Sequence, residues 1–173
     1  MKFGITISAM ATCLSVNSAL AAPTGLLNKT VRISWFQQTP GLSVGTNQSG
    51  SAGRSIALTL YVSSAGRVFA KGAARTGGFT GERTIGPEGT VFRAQGSKLV
   101  GVWHHGGGTN GATSVTVSFD SDFQTCSLDV ILGSENGKPL EWIGLNGVRY
   151  VETGHPTISS QSCAVSAGTA FAG

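Results

Sequence analysis

The sequence predicts an all-β protein, a single antiparallel β-sandwich or irregular barrel of about nine short strands. The 173-residue chain has 26 glycines and only 12% charged residues, unlike a coiled coil or a charged disordered chain. Apolar residues alternate with polar ones in short segments, which Gly, Ser, Asn and Pro separate. No amphipathic helical pattern of ten or more residues follows the N-terminal segment.

Residues 1–21 are predicted to form a secretory signal peptide, which leaves residues 22–173 as one β domain. Lys2 gives a positive start, residues 3–16 are mostly apolar, and Ala19-Leu20-Ala21 has the small-x-small pattern of a cleavage site. The apolar run is shorter than the roughly 20 residues of a membrane span. We therefore expect an exported protein, periplasmic or extracellular, with no transmembrane segment after cleavage. An uncleaved anchor helix is the alternative.

The first strands of the mature chain are predicted from period-2 patterns. Val31, Ile33 and Trp35 alternate with polar residues, and residues 56–62 repeat this pattern. Ser63-Ser64-Ala65-Gly66 predicts a hairpin turn into the next strand. That strand is expected over residues 67–71. Loops rich in Gly are expected over residues 37–53 and 72–89.

The second half of the chain continues the same pattern of short strands. Gly96-Ser97 and Asn146-Gly147 are dipeptides typical of two-residue hairpin turns. We expect residues 104–112 to form a flexible loop between strands. The remaining strands are predicted over residues 90–95, 98–103, 115–119, 126–132, 140–145, 148–153 and 157–165.

The cysteine count predicts one disulfide. Cys13 lies in the predicted leader, so the mature chain keeps Cys126 and Cys163. Two cysteines in an exported protein are typical of a disulfide, and the loop it closes here corresponds to about 4 kcal/mol in the chain-entropy model. Two separate buried thiols are the alternative.

Charge is divided unevenly along the chain. Residues 54–98 contain seven basic and two acidic residues, whereas residues 120–152 contain six acidic and two basic ones. A basic face suits an anionic envelope polysaccharide or lipid surface as partner. Alternatively, the two segments face each other or solvent within one domain. Nucleic acid is not expected as a partner, because an exported protein is separated from the nucleic acid of the cell. In addition, no recognition motif accompanies the basic residues.

One candidate ligand-binding surface combines aromatic and basic side chains. If residues 58, 60 and 62 point into the core, Tyr61 points away from it. Arg67, Phe69 and Lys71 share one face of the next strand. Two aromatic rings beside two cations suit an anionic or sugar ligand. Simple packing of the rings under a second sheet is the alternative.

A candidate catalytic pair is Glu141 and Glu152. A two-residue turn at Asn146-Gly147 places these residues directly opposite each other, so that one pKa is raised, as in a retaining glycosidase. A one-residue bulge instead separates them onto opposite faces. The same two-residue register places Trp142 and Arg149 together on the other face, where a cation–π contact is expected.

No metal site or cofactor is expected. His104 and His105 project to opposite faces of a continuing strand, and His155 is remote in sequence. Asp120-Ser121-Asp122 resembles the start of a calcium loop but lacks the later Gly and Glu that such a loop requires, so a turn with solvated carboxylates is expected. Nucleophile-elbow, P-loop and zinc-protease motifs are absent from the sequence.

Several segments resemble a family of small exported proteins of Gram-negative bacteria, whose function is not known. The residues that carry the resemblance are Leu60–Phe69, Val117–Asp120, Phe123, Cys126, Ser127, Ser162–Val165 and the end near Phe171. The resemblance implies a pairing of Cys126 with Cys163 and a structural hairpin over Tyr61–Phe69. It implies no substrate or site residue, and it is loosest over residues 37–53.

Three functional hypotheses follow. The first is a non-catalytic envelope protein that binds an anionic glycan or lipid head group through Tyr61, Arg67, Phe69 and Lys71. The second is a hydrolase that uses Glu141 and Glu152. The third is a subunit that adds an exposed edge strand to a neighbouring molecule.

Overall fold

The structure, a computed structural model, describes residues 22–76, 79–85, 92–104, 111–134, 138–144 and 146–170. In these residues it contains eleven β-strands and one short 3-10 turn, Thr24–Leu26. The strands form two antiparallel sheets whose apolar faces pack together. The all-β prediction is therefore confirmed, and the sheets form a sandwich.

The larger sheet has seven strands. They are β1 (Lys29–Ser43), β2 (Ser49–Val62), β3 (Val68–Thr76), β4 (Phe79–Ile85), β9 (Glu141–Ile143), β10 (Arg149–Glu152) and β11 (Thr157–Ala167). Their order is β4-β3-β2-β1-β10-β9, and β11 also pairs with β1. One edge of β1 is thus shared by β11 along its first part and by β10 along its last part.

The smaller sheet has four strands in sequence order. They are β5 (Phe92–Gln95), β6 (Lys98–His104), β7 (Gly111–Phe119) and β8 (Cys126–Ser134). Gly96 has a φ of +56° between β5 and β6, so the predicted turn there is confirmed. Alternate residues of β7 are buried, which is the pattern of a strand with one face on the core.

The core lies between the two sheets. The larger sheet contributes rows of buried side chains on β1 and β2, and the smaller sheet contributes a row on β7 together with buried side chains on β5, β6 and β8. The fully buried apolar residues include Val31, Ile33, Trp35, Leu60, Val62, Phe92, Leu99, Val115 and Val117. Among the residues described, no helix is both long enough and apolar enough to cross a bilayer.

The disulfide joins the two sheets. Cys126 begins β8, and Cys163 lies in β11 opposite Ile33 of β1. Their Cα atoms are 5.7 Å apart. The predicted Cys126–Cys163 disulfide is confirmed, and it lies beside the apolar core, where both cysteines are half-buried.

Two predicted loops are wrong. β1 and β2 stay paired without interruption from Lys29 opposite Val62 to Leu42 opposite Ser49, through most of the loop predicted over residues 37–53. β3 continues to Thr76, and β4 follows within the second predicted loop. The cause is tertiary: neighbouring strands satisfy the backbone of Gly- and Ser-rich segments whose own strand propensity is low.

Candidate functional site

The two aromatic residues of the predicted surface lie side by side on the outer face of the larger sheet. Tyr61 is directly opposite Phe69 in the β2–β3 pair. Their ring centroids are 6.3 Å apart, with planes inclined by 35°. The neighbouring Leu60 and Val62 are fully buried, so Tyr61 points away from the core as predicted. Both rings are half-buried and remain accessible from solvent.

The hairpin turn between β2 and β3 positions Arg67. Ser63 donates its backbone N–H to the Arg67 carbonyl (2.9 Å), and its hydroxyl accepts the Arg67 N–H (3.1 Å). Gly66, with a φ of +75°, allows the chain to reverse there. The Arg67 guanidinium carbon lies 5.8 Å from the Phe69 ring centroid, a cation–π distance. Together Tyr61, Arg67, Phe69 and Lys71 are called the aromatic–cation surface below.

The sheet register adds a third cation that the sequence did not indicate. Lys71 is opposite Thr59, and Thr59 is opposite Arg32 of β1. Arg32 and Lys71 therefore share the outer face, two strand spacings or about 10 Å apart at the backbone. Arg32 is exposed and donates to the Ser166 hydroxyl at 3.2 Å. The position of Arg32 between Val31 and Ile33 indicates its outward direction, but only the strand order reveals its neighbour.

One border of the aromatic–cation surface is formed by Asn28 and by residues 168–170. The Tyr61 hydroxyl donates to the side-chain oxygen of Asn28 at 3.2 Å. Thr30, opposite Tyr61, donates its hydroxyl to the Gly168 carbonyl (2.6 Å) and accepts the Ala170 N–H (3.1 Å). These bonds hold residues 168–170 over Thr30, which is only 1% exposed.

The described side chains give the outer face around this surface a positive charge. Arg32, Arg67 and Lys71 are all exposed there. On the same face, Glu141 lies at the opposite end of the sheet, where it forms an ion pair with Arg149. The Glu141 carboxylate is therefore already ion-paired, and it lies far along the strands from the aromatic–cation surface. Three exposed cations are thus described at the end of the sheet formed by the β2–β3 turn.

The predicted register of Glu141 and Glu152 is wrong. Gly144 donates its N–H to the Val148 carbonyl, which makes these two residues a cross-strand pair. The connection between them is therefore one residue longer than the predicted two-residue turn. Glu141 is consequently opposite Val151, and the Glu152 carboxylate accepts the Leu140 N–H at 2.9 Å. A shift of one residue places the two glutamates on opposite faces of the hairpin. The two carboxylates therefore do not face each other, as a catalytic pair would require.

Trp142 does not contact Arg149 as the two-residue register implied. It stacks on Tyr150 instead, with centroids 5.6 Å apart and planes within 10°. These rings lie over two glycines of the β1–β2 hairpin: an added Cβ at Gly41 would overlap Trp142, and one at Gly50 would come within 2.5 Å of Tyr150. Gln37, Thr39 and Ser43 of this end of the hairpin are buried polar residues, which explains why the sequence favoured a loop.

The described residues include no group of three or more His, Cys, Asp or Glu that could hold a metal ion. His105 lies outside the described residues, and His155 is exposed. Asp120 closes the turn between β7 and β8: its carboxylate accepts the Thr125 hydroxyl at 2.8 Å and the N–H groups of Gln124 and Thr125. These hydrogen bonds hold the pKa of Asp120 below its ordinary value, and the bond from the Thr125 hydroxyl has the largest effect.

The chemistry that the aromatic–cation surface offers is recognition. Aromatic ring faces suit the C–H face of a sugar, and guanidinium and ammonium groups pair with carboxylate, phosphate or sulfate. The surface is an accessible sheet face with cations along it. A comparison of the chain with protein-family models, with curated proteins and with solved structures finds no match.

Proposed function

We propose that this protein is a non-catalytic binding domain for an anionic glycan of the cell envelope. The observation that carries the proposal is the aromatic–cation surface, where paired rings and cations share one accessible sheet face. A sugar ring stacks on such rings while its acidic group pairs with the cations. Each exposed charge contributes little alone, so affinity depends on several contacts together.

A location outside the cytoplasm is part of this proposal. The predicted leader and the disulfide between the sheets both favour it, since disulfides persist in oxidising compartments. The disulfide and the finding on membrane-spanning helices are compatible with an exported protein. The basic surface would then meet the acidic polymers of the envelope.

A glycan is favoured over a lipid surface because of where the described apolar side chains lie. Proteins that insert into a membrane interface present protruding apolar side chains beside their cations. Here the exposed large hydrophobic residues are Val44, Val102, Ile131 and Ile143, and the register places none of them beside Tyr61 or Phe69. The two aromatic rings are half-buried in the sheet face rather than projecting from it.

Calorimetric titration with polygalacturonate and with a neutral polysaccharide tests the proposal. We expect binding to polygalacturonate only, with an affinity that falls as salt is raised. Arg67→Ala combined with Lys71→Ala should weaken binding about tenfold, because two exposed charge contacts of about 0.5–1 kcal/mol each are lost.

The matched control is Arg93→Ala combined with Lys98→Ala. It removes the same charge from exposed positions on the outer face of the smaller sheet. Equal weakening by the two double variants would show that net charge, rather than this surface, governs binding. Tighter binding to phosphatidylglycerol vesicles than to polygalacturonate would replace the glycan by a lipid head group.

A further inference from the structure

We infer that the ligand is an extended chain of acidic sugars that lies along β1 on the outer face of the larger sheet. This inference rests on the proposed function and adds the length and direction of the ligand. It also assigns binding roles to Arg32 and Phe36, which the aromatic–cation surface does not include.

The first observation is a continuous polar strip. Outward-facing residues on β1 follow one another as Arg32, Ser34, Phe36 and Gln38. Their partners on β11 and β2 are small or hydroxyl-bearing: Ala164, Ser162, Ser159, Thr157, Thr59, Ala57, Ser55 and Gly53. Small neighbours on both sides leave the longer side chains of β1 accessible.

The second observation is another aromatic ring further along the strip. Phe36 reaches across to β2 and lies over Gly53, where an added Cβ would be 3.1 Å from its Cζ. The ring is half-buried. Phe36 is six residues along β1 from Thr30, the partner of Tyr61, so the two aromatic positions are about 20 Å apart. That distance requires a ligand of several sugar units.

The third observation is the set of neutral hydrogen-bonding groups along the strip, between the two ring positions and just beyond Phe36. The hydroxyls of Ser34 and Ser162 are 2.7 Å apart, and the Gln38 side-chain amide donates to the Ser51 hydroxyl at 3.2 Å. These bonds hold the groups in place while each keeps capacity for a further partner. Sugar hydroxyls are suitable partners, because they both donate and accept.

Basic residues accompany both ends of the strip in the sheet register. The exposed cations Arg32, Arg67 and Lys71 lie at the Tyr61 end, and the register places Arg75 of β3 opposite Ser55, the partner of Phe36. A short acidic oligomer binds at the aromatic–cation surface, because the paired rings and the exposed cations lie together there. A longer one continues over Ser34 to Phe36 and gains the second ring contact.

Titration with uronic acid oligomers from dimers to octamers tests this inference. We expect affinity to rise with length until the oligomer spans the strip. Phe36→Ala should weaken octamer binding about tenfold and leave dimer binding unchanged. Phe36→Leu keeps an apolar cover over Gly53 without a ring and should lower octamer affinity in the same way, while Phe36→Trp should restore it.

The control is Val102→Ala, which shortens an exposed apolar side chain on the other sheet and should change neither affinity. Equal affinity for dimers and octamers, or equal weakening of both by Phe36→Leu, would overturn the extended site while the proposed function stands. Binding of neither oligomer would overturn the proposed function itself. Tighter binding of a thymidine oligonucleotide of matched length would overturn the choice of a glycan.

Discussion

Two glycines of the larger sheet are required by aromatic neighbours rather than by turns. Gly41 and Gly50 are opposite each other in the β1–β2 pair, beneath the Trp142 and Tyr150 rings. A side chain at either position would occupy the space of a ring. The two aromatic side chains in turn cover a face of these strand segments that has no large apolar side chain of its own.

We predict that Gly41→Ala destabilises the protein by about 1–3 kcal/mol, because the new methyl group meets Trp142 and lies 2.7 Å from the Val151 carbonyl oxygen. Urea denaturation measures the effect. Gly133→Ala is the control: its Cβ would meet nothing within 4 Å, so its stability should change little. Similar losses in both variants would contradict the close packing of Trp142.

Asp120 makes stability depend on acid pH. Its pKa is lower folded than unfolded, so its contribution is present above the unfolded pKa and is lost as pH falls through the folded pKa. We predict that Asp120→Asn reduces the loss of stability on acidification below about pH 4. Urea midpoints from neutral to acid pH measure this.

The control for the acid dependence is Asp122→Asn. It removes a carboxylate from the same turn, but not the three hydrogen bonds to Gln124 and Thr125. If both variants flatten the pH dependence equally, the hydrogen bonds of Asp120 are not its cause.

At the scale of elements, the β9–β10 register decides which residues meet. Glu141 is opposite Val151, so their Cα atoms lie within the range of a disulfide. We predict that Glu141→Cys combined with Val151→Cys forms a disulfide on mild oxidation. Glu141→Cys combined with Glu152→Cys should remain reduced, since these side chains point to opposite faces. Thiol titration distinguishes the two, and the reverse result would restore the two-residue turn.

Sequence patterns predicted the elements that have local signals. Turns at Ser63–Arg67 and Gly96-Ser97 depend on residues within the turn itself, and Leu58 and Leu60 set the outward direction of Tyr61. The binding role of that surface stays a prediction. The turn at Asn146-Gly147 shows the limit, because one extra residue in the connection changed every cross-strand partner.

The outer part of the β1–β2 hairpin has no comparable local signal. Gln37, Thr39 and Ser43 are polar, and Gly41 and Gly50 lower strand propensity. Pairing with β10 and the cover from Trp142 make the segment a strand, and both come from about 100 residues further along the chain. The same holds for Arg32, whose place beside Lys71 depends on strand order.

At the scale of the whole molecule, the disulfide is the covalent link between the two sheets. We predict that Cys126→Ser combined with Cys163→Ser lowers the free energy of unfolding by about 4 kcal/mol, because the unfolded chain regains the freedom of the closed loop. Thermal and urea unfolding with and without reductant measure this. Reductant should destabilise the natural protein and leave the double variant unchanged. If reductant destabilised the natural protein and the double variant equally, the loss of stability would not come from the Cys126–Cys163 disulfide.

Assembly through an exposed edge strand stays a prediction at this scale. In the described part of the chain, β4, β9 and β11 are edge strands of the larger sheet, and β5 and β8 are edge strands of the smaller one. β9 spans three residues and β5 four, which limits the ladder that either offers to a neighbour.

The pairing of β1 with β11 has a consequence for how the protein folds. Contacts such as Thr30 with Gly168 join residues 138 apart in sequence, so the chain has many long-range contacts. Loop closure over such distances makes folding slow, and a nascent chain that still lacks β11 presents an open strand edge. The larger sheet is therefore completed only once β11, Thr157–Ala167, has been synthesised.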